Sequence, residues 1–418
     1  MRTLSRRRTG AGALAVLAAA AIAGCGSDDS GSPSSSGKDA GPGATAEAAG
    51  TGGAAKLNVT MANDGGSDTC TLDTDSVAAG PVTFTITNRS ATGITEVELL
   101  SDQKILGEKE NLAPGLDPVS FTLTLGGGDY QVYCPGAEPE LVDLKVTGEA
   151  ATEPVGDTQQ ALQHGASDYA TYVDDEVASM GQGAQALQAA VESGDVAAAQ
   201  KAYANARIHY ERIESDVEGF VLDGFEPTDN HGNLDYLIDM RASNLDPDVG
   251  WHGFHAVERD LFGRQTITGS TKRLAAELSA NVTRLSALAK TLTYKPEDLA
   301  NGAAGLLEEV QANKISGEEE EFSHIDLVDF AGNVEGAEQS FAYLKPGLEQ
   351  IDGTLTATIA QRFDDVTALL DTYRDADELG GYRRYTPELR KTDANHLSQT
   401  VQALQDSLSR LAEKVATA

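Results

Sequence analysis

The chain has 418 residues, with 65 acidic against 31 basic side chains and a formal net charge of -34. That length accommodates more than one domain, each with its own core. The charge repels nucleic-acid phosphates and anionic lipid headgroups, which sets nucleic acid aside as a partner; such a surface can attract cations or simply keep an exported protein soluble.

Arg2, Arg6, Arg7 and Arg8 precede the apolar stretch GALAVLAAAAIAG, which runs up to Cys25. A basic start followed by a short apolar core reads as an export signal, too short to span a bilayer with these flanks. Ile22-Ala23-Gly24-Cys25 resembles the bacterial lipobox, in which Cys25 would be lipidated after cleavage; cleavage elsewhere is the alternative. Removal of residues 1–24 would take away four arginines and no acids. Residues 25–55 lack large apolar side chains and read as a flexible tether. An anchor followed by a tether puts the folded part outside the cytoplasmic membrane, lipid-anchored at its surface.

Over residues 56–148 the apolar positions recur with period two: Leu57, Val59, Met61; Val82, Phe84, Ile86; Phe121, Leu123, Leu125; Val142, Leu144, Val146. Turn clusters such as Ala79-Gly80-Pro81 and Gly126-Gly127-Gly128 separate the runs. This predicts a β-sandwich of roughly 90 residues. Cys70 and Cys134 lie within it. In an oxidising compartment they can pair as a disulfide, or they can join carboxylates such as Glu96 or Glu98 around copper or iron. A blue-copper centre is not expected, because it needs two histidines near the cysteine and none occurs between 56 and 148.

From residue 157 to 418 the period becomes helical. Asp157 or Thr158 can cap a first helix, and Asp195 a second in which Val196, Ala199, Tyr203, Ala206, Tyr210 and Ile213 form one face. Further helices are expected from Thr271 to Leu292, from Pro296 to near Asn313, from Ser316 with Glu319 as a capping box, from Pro346, and from Pro387. No strand pattern interrupts them, so this half is expected to be all-α, one or two bundles.

The stretch WHGFHAVERDLF, residues 251–262, reads as one short helix ended by Gly263. His255 and Glu258 lie three apart and share a face, with His252 on the same side. An imidazole beside a carboxylate is half of a metal site, although the pair alone is a weak signal. Glu211 and Glu214 fall on or beside the apolar stripe of the second helix and need a partner, either a cation or Arg207 four residues before Glu211. Asp329 points inward with Phe322 and Ile325. The run Glu318–Glu321 reads as a solvated first helical turn.

Together YERIES, GWHGFHAVERDLF and NKISGEEEEFSHIDLVDFAGNVEGA resemble the imelysin family. The whole layout is similar to that of extracytoplasmic iron-uptake components, in which a cupredoxin-like domain precedes an imelysin-like helical bundle. Gly253-Phe254-His255-Ala256-Val257-Glu258 matches the family's G-x-H-x-x-E pattern. The resemblance implies that His255 and Glu258 bind metal, with Glu211 a third ligand and Asp329 a fourth. It implies that Cys70, Glu96 and Cys134 hold copper or ferric iron in the β-domain. It implies, as partners, a membrane iron permease and a haem peroxidase. The family is also filed among metallopeptidases, but the H-E-x-x-H string of a zinc protease is absent. One imidazole among carboxylates suits iron. The expected function is therefore iron capture and delivery, with a secreted imelysin-like metallopeptidase as the alternative and a polyanion-binding module disfavoured by the acidic surface.

Overall fold

The computed structural model describes residues 53–63, 65–101, 104–150 and 156–418. The export signal, Cys25 and the tether up to residue 52 lie outside the described residues.

The alternating segment forms β1 (Ala55–Asn63), β2 (Asp68–Leu72), β3 (Ser76–Ala78), β4 (Gly80–Asn88), β5 (Val97–Ser101), β6 (Lys104–Lys109), β7 (Val119–Leu125), β8 (Gly128–Tyr133) and β9 (Leu141–Thr147). They make two sheets, ordered β2-β1-β4-β7 and β3-β9-β8-β5-β6. β1 and β4 run parallel with Val59 opposite Ile86, and β7 lies antiparallel to β4 with Phe121 opposite Phe84. The inward positions Leu57, Val59, Val82, Phe84, Leu99, Val132 and Leu144 bury their side chains between the sheets, as period two requires.

A disulfide joins Cys70 on β2 to Cys134, just after β8. The two sulfurs are bonded to each other, so neither is a thiolate ligand here. The mixed Cys70–Glu96–Cys134 site left open by the sequence is therefore replaced by a cross-link. Burial raises the Glu96 carboxyl, which Arg241 of the helical half lowers and Asp235 raises.

That half contains α1 (Asp157–Ser193), α2 (Val196–Glu211), α3 (Glu214–Val217), α4 (Leu234–Asp239), α5 (Gly253–Glu258), α6 (Gly269–Ala289), α7 (Pro296–Glu309), α8 (Asp326–Asp371), α9 (Pro387–Leu408) and α10 (Leu411–Ala416). Asp195 caps α2 by accepting from the Ala198 amide at 3.0 Å, as its type predicts. Three expectations fail. Gly156, not Asp157 or Thr158, precedes α1. Pro346 sits inside α8, whose break in helical geometry comes at Asp352. The helix expected from Ser316 begins only at Asp326, because residues 317–325 form a looped turn that sends Glu319 and Glu320 inward. That loop needs left-handed backbone at Gly317 (φ 70°) and His324 (φ 58°).

The β-domain docks on the helices through β6 and β7. Lys109 pairs with Glu308 at 2.7 Å, the Asn301 side chain spans the Thr122 backbone, and the Ile105 amide donates to the Gly219 carbonyl at 3.4 Å. A side chain at Gly219 would run into the Ile105 carbonyl, so glycine permits this approach.

Candidate metal centre

α5 is short and wholly buried, and its position rests on its first residue. Gly253 has φ 68°, and a Cβ there would overlap the Ile238 carbonyl at the end of α4. Only glycine lets α5 start there. Immediately after Glu258 the chain widens into a π-turn, Arg259–Gly263, and a second π-turn, Val310–Lys314, follows α7. Such turns shift the register of side chains and recur at functional sites. Here they flank Glu258 and carry Lys314 into the interior.

His255 is buried, and each ring nitrogen faces its own carboxylates. Nδ1 lies 3.1 Å from Glu258 Oε2. Nε2 lies 3.3 Å from Glu319 and 3.6 Å from Asp239. Two triads, Asp239–His255–Glu319 and His255–Glu258–Glu320, each bring three potential ligand atoms within 4.8 Å of one another. The second oxygen of Glu258 accepts the backbone amides of Phe322 (2.8 Å) and Ser323 (2.7 Å), tying the 317–325 loop to α5. Glu320 accepts from the Tyr203 hydroxyl at 2.7 Å and from Ser323.

Built-in cations thread these acids. Arg207, fully buried on α2, pairs with Glu211 (2.5 Å), Glu319 (2.6 Å), Asp329 (3.3 Å), Glu320 (3.4 Å) and Asp239. Lys314 lies 3.3 Å from Glu211, 3.4 Å from Glu214, and 3.5 Å from Glu309 and Glu319. Arg241 reaches Glu309 at 2.8 Å and Glu319 at 3.3 Å. Carboxylates still outnumber cations, and the imbalance appears in their acidity. Burial would raise Glu319, but Lys314, Arg241, His255 and Arg207 outweigh it and hold the group well below the usual carboxylate range. Burial pushes Glu258 up to about 8 against its two backbone donors, and raises Glu320 well above the usual range with Glu258 adding repulsion. Asp329 is likewise raised by burial and by Glu211.

The residues expected from the sequence therefore divide. His255 and Glu258 come together in the interior. Glu211 and Asp329 reach the same cluster but converge on Arg207, the ion-pair alternative to a metal. His252 turns away, its Nδ1 2.9 Å from Glu277 on α6. Glu319 and Glu320, read as solvated, are core residues of the site, and Asp239, Arg207, Arg241 and Lys314 join them. Arg207 carried a readable signal: it lies four residues after Tyr203 and three before Tyr210, on the apolar stripe of α2, where a cation demands carboxylates.

The donor set fits a hard cation. His255 Nε2 and Asp329 Oδ1 are buried without a hydrogen-bond partner, whereas Asp239 Oδ1 and both oxygens of Glu211 are held as ion pairs by Arg207 and Lys314. Buried polar atoms without partners are costly and mark a position built for another group.

The imelysin family model matches residues 165–413. The chain belongs to the imelysin family. It is 36% identical over 339 residues to a Yersinia pestis protein named iron uptake system component EfeO, covering 80% of this chain and 85% of that relative. An Escherichia coli protein of the same name is 34% identical over 346 residues, covering 82% and 88%. Among solved structures, rusticyanin from Thiobacillus ferrooxidans is similar over 23% of this chain and 79% of its own, at 12% identity and a TM-score of 0.19. The imelysin match spans all of α2 to α9, so it contains His255 and every other member of the buried centre.

Proposed function

We propose that the protein is an extracytoplasmic iron-binding component of an iron uptake system, capturing iron in the imelysin domain and delivering it to a membrane permease. The likeness to relatives named iron uptake components supports the role. The observation that carries the site is the Nε2 face of His255, where a buried nitrogen without a hydrogen-bond partner converges with Asp239 and Glu319, two carboxylates that Arg207 also holds. On this reading Nε2 is the ligand atom, with Asp239 and Glu319 beside it. Glu258 accepts the Nδ1 proton, fixes the tautomer and makes the ring a better donor. One nitrogen among carboxylate oxygens suits ferric or ferrous iron better than softer metals.

Arg207 is the resident counter-ion. Iron entering beside Asp239 and Glu319 takes over carboxylates that the guanidinium holds, so one cation exchanges for another without leaving buried charge unpaired. The same exchange in reverse favours release, since the emptied site is not left bare. Lipidation at Cys25, export and a haem peroxidase partner belong to the same reading and rest on the sequence and the family resemblance. A peptidase reading is not favoured: His255 is the one imidazole in the centre among the described residues, and Glu258 is occupied by two backbone amides and the ring.

The test is anaerobic titration of the full chain with ferrous iron, repeated with ferric citrate. The parent should bind in the micromolar range or tighter. His255→Ala and Asp239→Asn should abolish binding at this centre, and Glu258→Gln should weaken it by about 10–100-fold, as loss of an orienting partner does. Retention of full affinity in Asp239→Asn together with complete loss in Glu258→Gln would move the ion to the Nδ1 side. Retention in His255→Ala would overturn the reading.

A further inference from the structure

His255, Asp239, Glu258, Glu319 and Glu320 are all buried, so an ion reaches them only after part of the surrounding wall moves. That wall is uneven. Arg207, Asp239, His255 and Asp329 project from α2, α4, α5 and α8, whose backbone is bonded within each helix. Glu319 and Glu320 come instead from the 317–325 loop, which has no regular structure. They stand between Glu318 and Glu321, which are exposed. The wall is therefore one chain thick here, with the centre on one side and solvent on the other. Segments with few regular backbone bonds open more readily than packed helices.

The loop is held twice over. Its inner side is held by the centre itself, through the cations around Glu319 and through Glu258, which accepts the Phe322 and Ser323 amides. Its ends are held from outside. The Tyr385 hydroxyl donates to the Ile315 carbonyl at 3.1 Å, and the Tyr385 amide donates to the His324 carbonyl at 2.8 Å. The Arg390 guanidinium donates to the Ser316 carbonyl. One short segment at the start of α9 thus grips both the entry and the exit of the loop. That segment has a firm footing, because Tyr385 is buried and Thr386 caps α9 by accepting from the Leu389 amide at 3.4 Å. The left-handed residues Gly317 and His324 lie at the two gripped ends, where hinges that absorb a backbone change are found. A side chain at Gly317 would collide with the Arg390 guanidinium, so glycine lets the grip close.

We infer that Tyr385 and Arg390 are positioning residues for the iron centre: they clamp both ends of a lid, residues 317–325, whose opening lets the ion in and out. Their hydrogen bonds go to backbone carbonyls at the lid's ends, not to Glu319 or Glu320. They act through those two carboxylates, which the closed lid delivers to His255. The inner contacts change when iron replaces Arg207 at a carboxylate, whereas the outer clamp is the same in the empty and the filled centre. The clamp therefore sets how often the lid opens in both states. The nature of the cargo rests on the reading of His255 as an iron ligand; the lid and its clamp do not.

The experiment loads the full chain with ferrous iron without oxygen and follows transfer of the iron to excess ferrozine by stopped-flow absorbance. Tyr385→Phe and Arg390→Ala each remove one hydrogen bond, so each should speed release about five-fold, the weight of one typical bond. The double variant should exceed either alone. Hydrogen exchange read by mass spectrometry on the iron-free chain should show faster exchange over residues 318–323 in the double variant, with parental rates in α1 and α6. Where the iron is lost in His255→Ala, an unchanged release rate or unchanged loop exchange in the double variant would overturn the inference. Faster exchange throughout the helical domain would also overturn it, because the substitutions would then only loosen the fold. Where His255→Ala keeps its iron, the exchange measurement decides alone. Acceleration confined to 318–323 would then uphold the clamped lid and reject the His255 reading, and its absence would reject both.

Discussion

Around His255 the carboxylates are threaded with Arg207, Arg241 and Lys314, whereas across the domain interface Glu98, Glu108 and Glu218 face mainly one another. The first cluster carries its own cations and stays ionised in part. The second has none, and protons take their place: burial and neighbouring acids push Glu98 up to about 10 and Glu108 up to about 8. Neighbouring acids can therefore be stabilised by fixed cations or by protons, and each choice leaves a distinct signature under mutation and pH.

The largest effect should come from Arg207→Ala. It strips one cation from five buried carboxylates, and breaking a buried ionic network typically costs about 3–5 kcal/mol. Urea unfolding of the metal-free protein reads this directly, and iron should restore part of the loss by supplying the missing charge. A cost below about 1 kcal/mol would make the guanidinium a bystander. Next comes Gly253→Ala, which needs a left-handed backbone and drives a Cβ into the Ile238 carbonyl. A stability loss of about 1–3 kcal/mol is expected, together with loss of iron affinity as α5 shifts. Native affinity with normal folding would separate α5 from the metal.

pH should sharpen the contrast, because the two clusters fail at opposite ends. Glu108 has a raised folded pKa, so its protonated form is the one the fold favours. Its contribution is complete below the unfolded value of 4.5 and is lost as pH rises through about 8. The protein should therefore lose stability as pH rises from about 4.5 to about 8, and the Glu98→Gln/Glu108→Gln variant should lose less. Glu309 is the reverse. Burial raises it, but Arg241 and Lys314 outweigh that and lower it to about 2, so its contribution is present above 4.5 and is lost as pH falls towards 2. Denaturant midpoints across the two ranges, with and without the substitutions, would reveal whether the assignment is inverted. The smallest effect is expected from Lys109→Ala, which removes the interdomain pair with Glu308. A change of about 1 kcal/mol in thermal unfolding should accompany it, with iron stoichiometry untouched.

The two-part architecture was legible because the apolar period switches from two to the helical repeat near residue 157, and the sheets and helices follow that switch. His255 and Glu258 were legible as a pair three residues apart on a short helix. Glu319 and Glu320 were not: a run of four glutamates has no apolar stripe to say which members face inward, and only the loop turned at Gly317 buries the middle two. Asp239 ends a short helix and offers no pattern linking it to a histidine sixteen residues on. The interface acids escaped for the same reason. Glu98 and Glu108 occupy alternate positions that a sandwich normally gives to solvent, and only the docked helical domain makes that face an interior one. The choice between disulfide and metal at Cys70 and Cys134 needed three-dimensional proximity across 64 residues.

Iron K-edge X-ray absorption on the iron-loaded full chain tests the central claim most directly. One imidazole within a shell of oxygen donors should be visible in the parent, and the imidazole contribution should vanish in His255→Ala. An all-oxygen spectrum in the parent, or an imidazole signal unchanged by His255→Ala, would contradict the account.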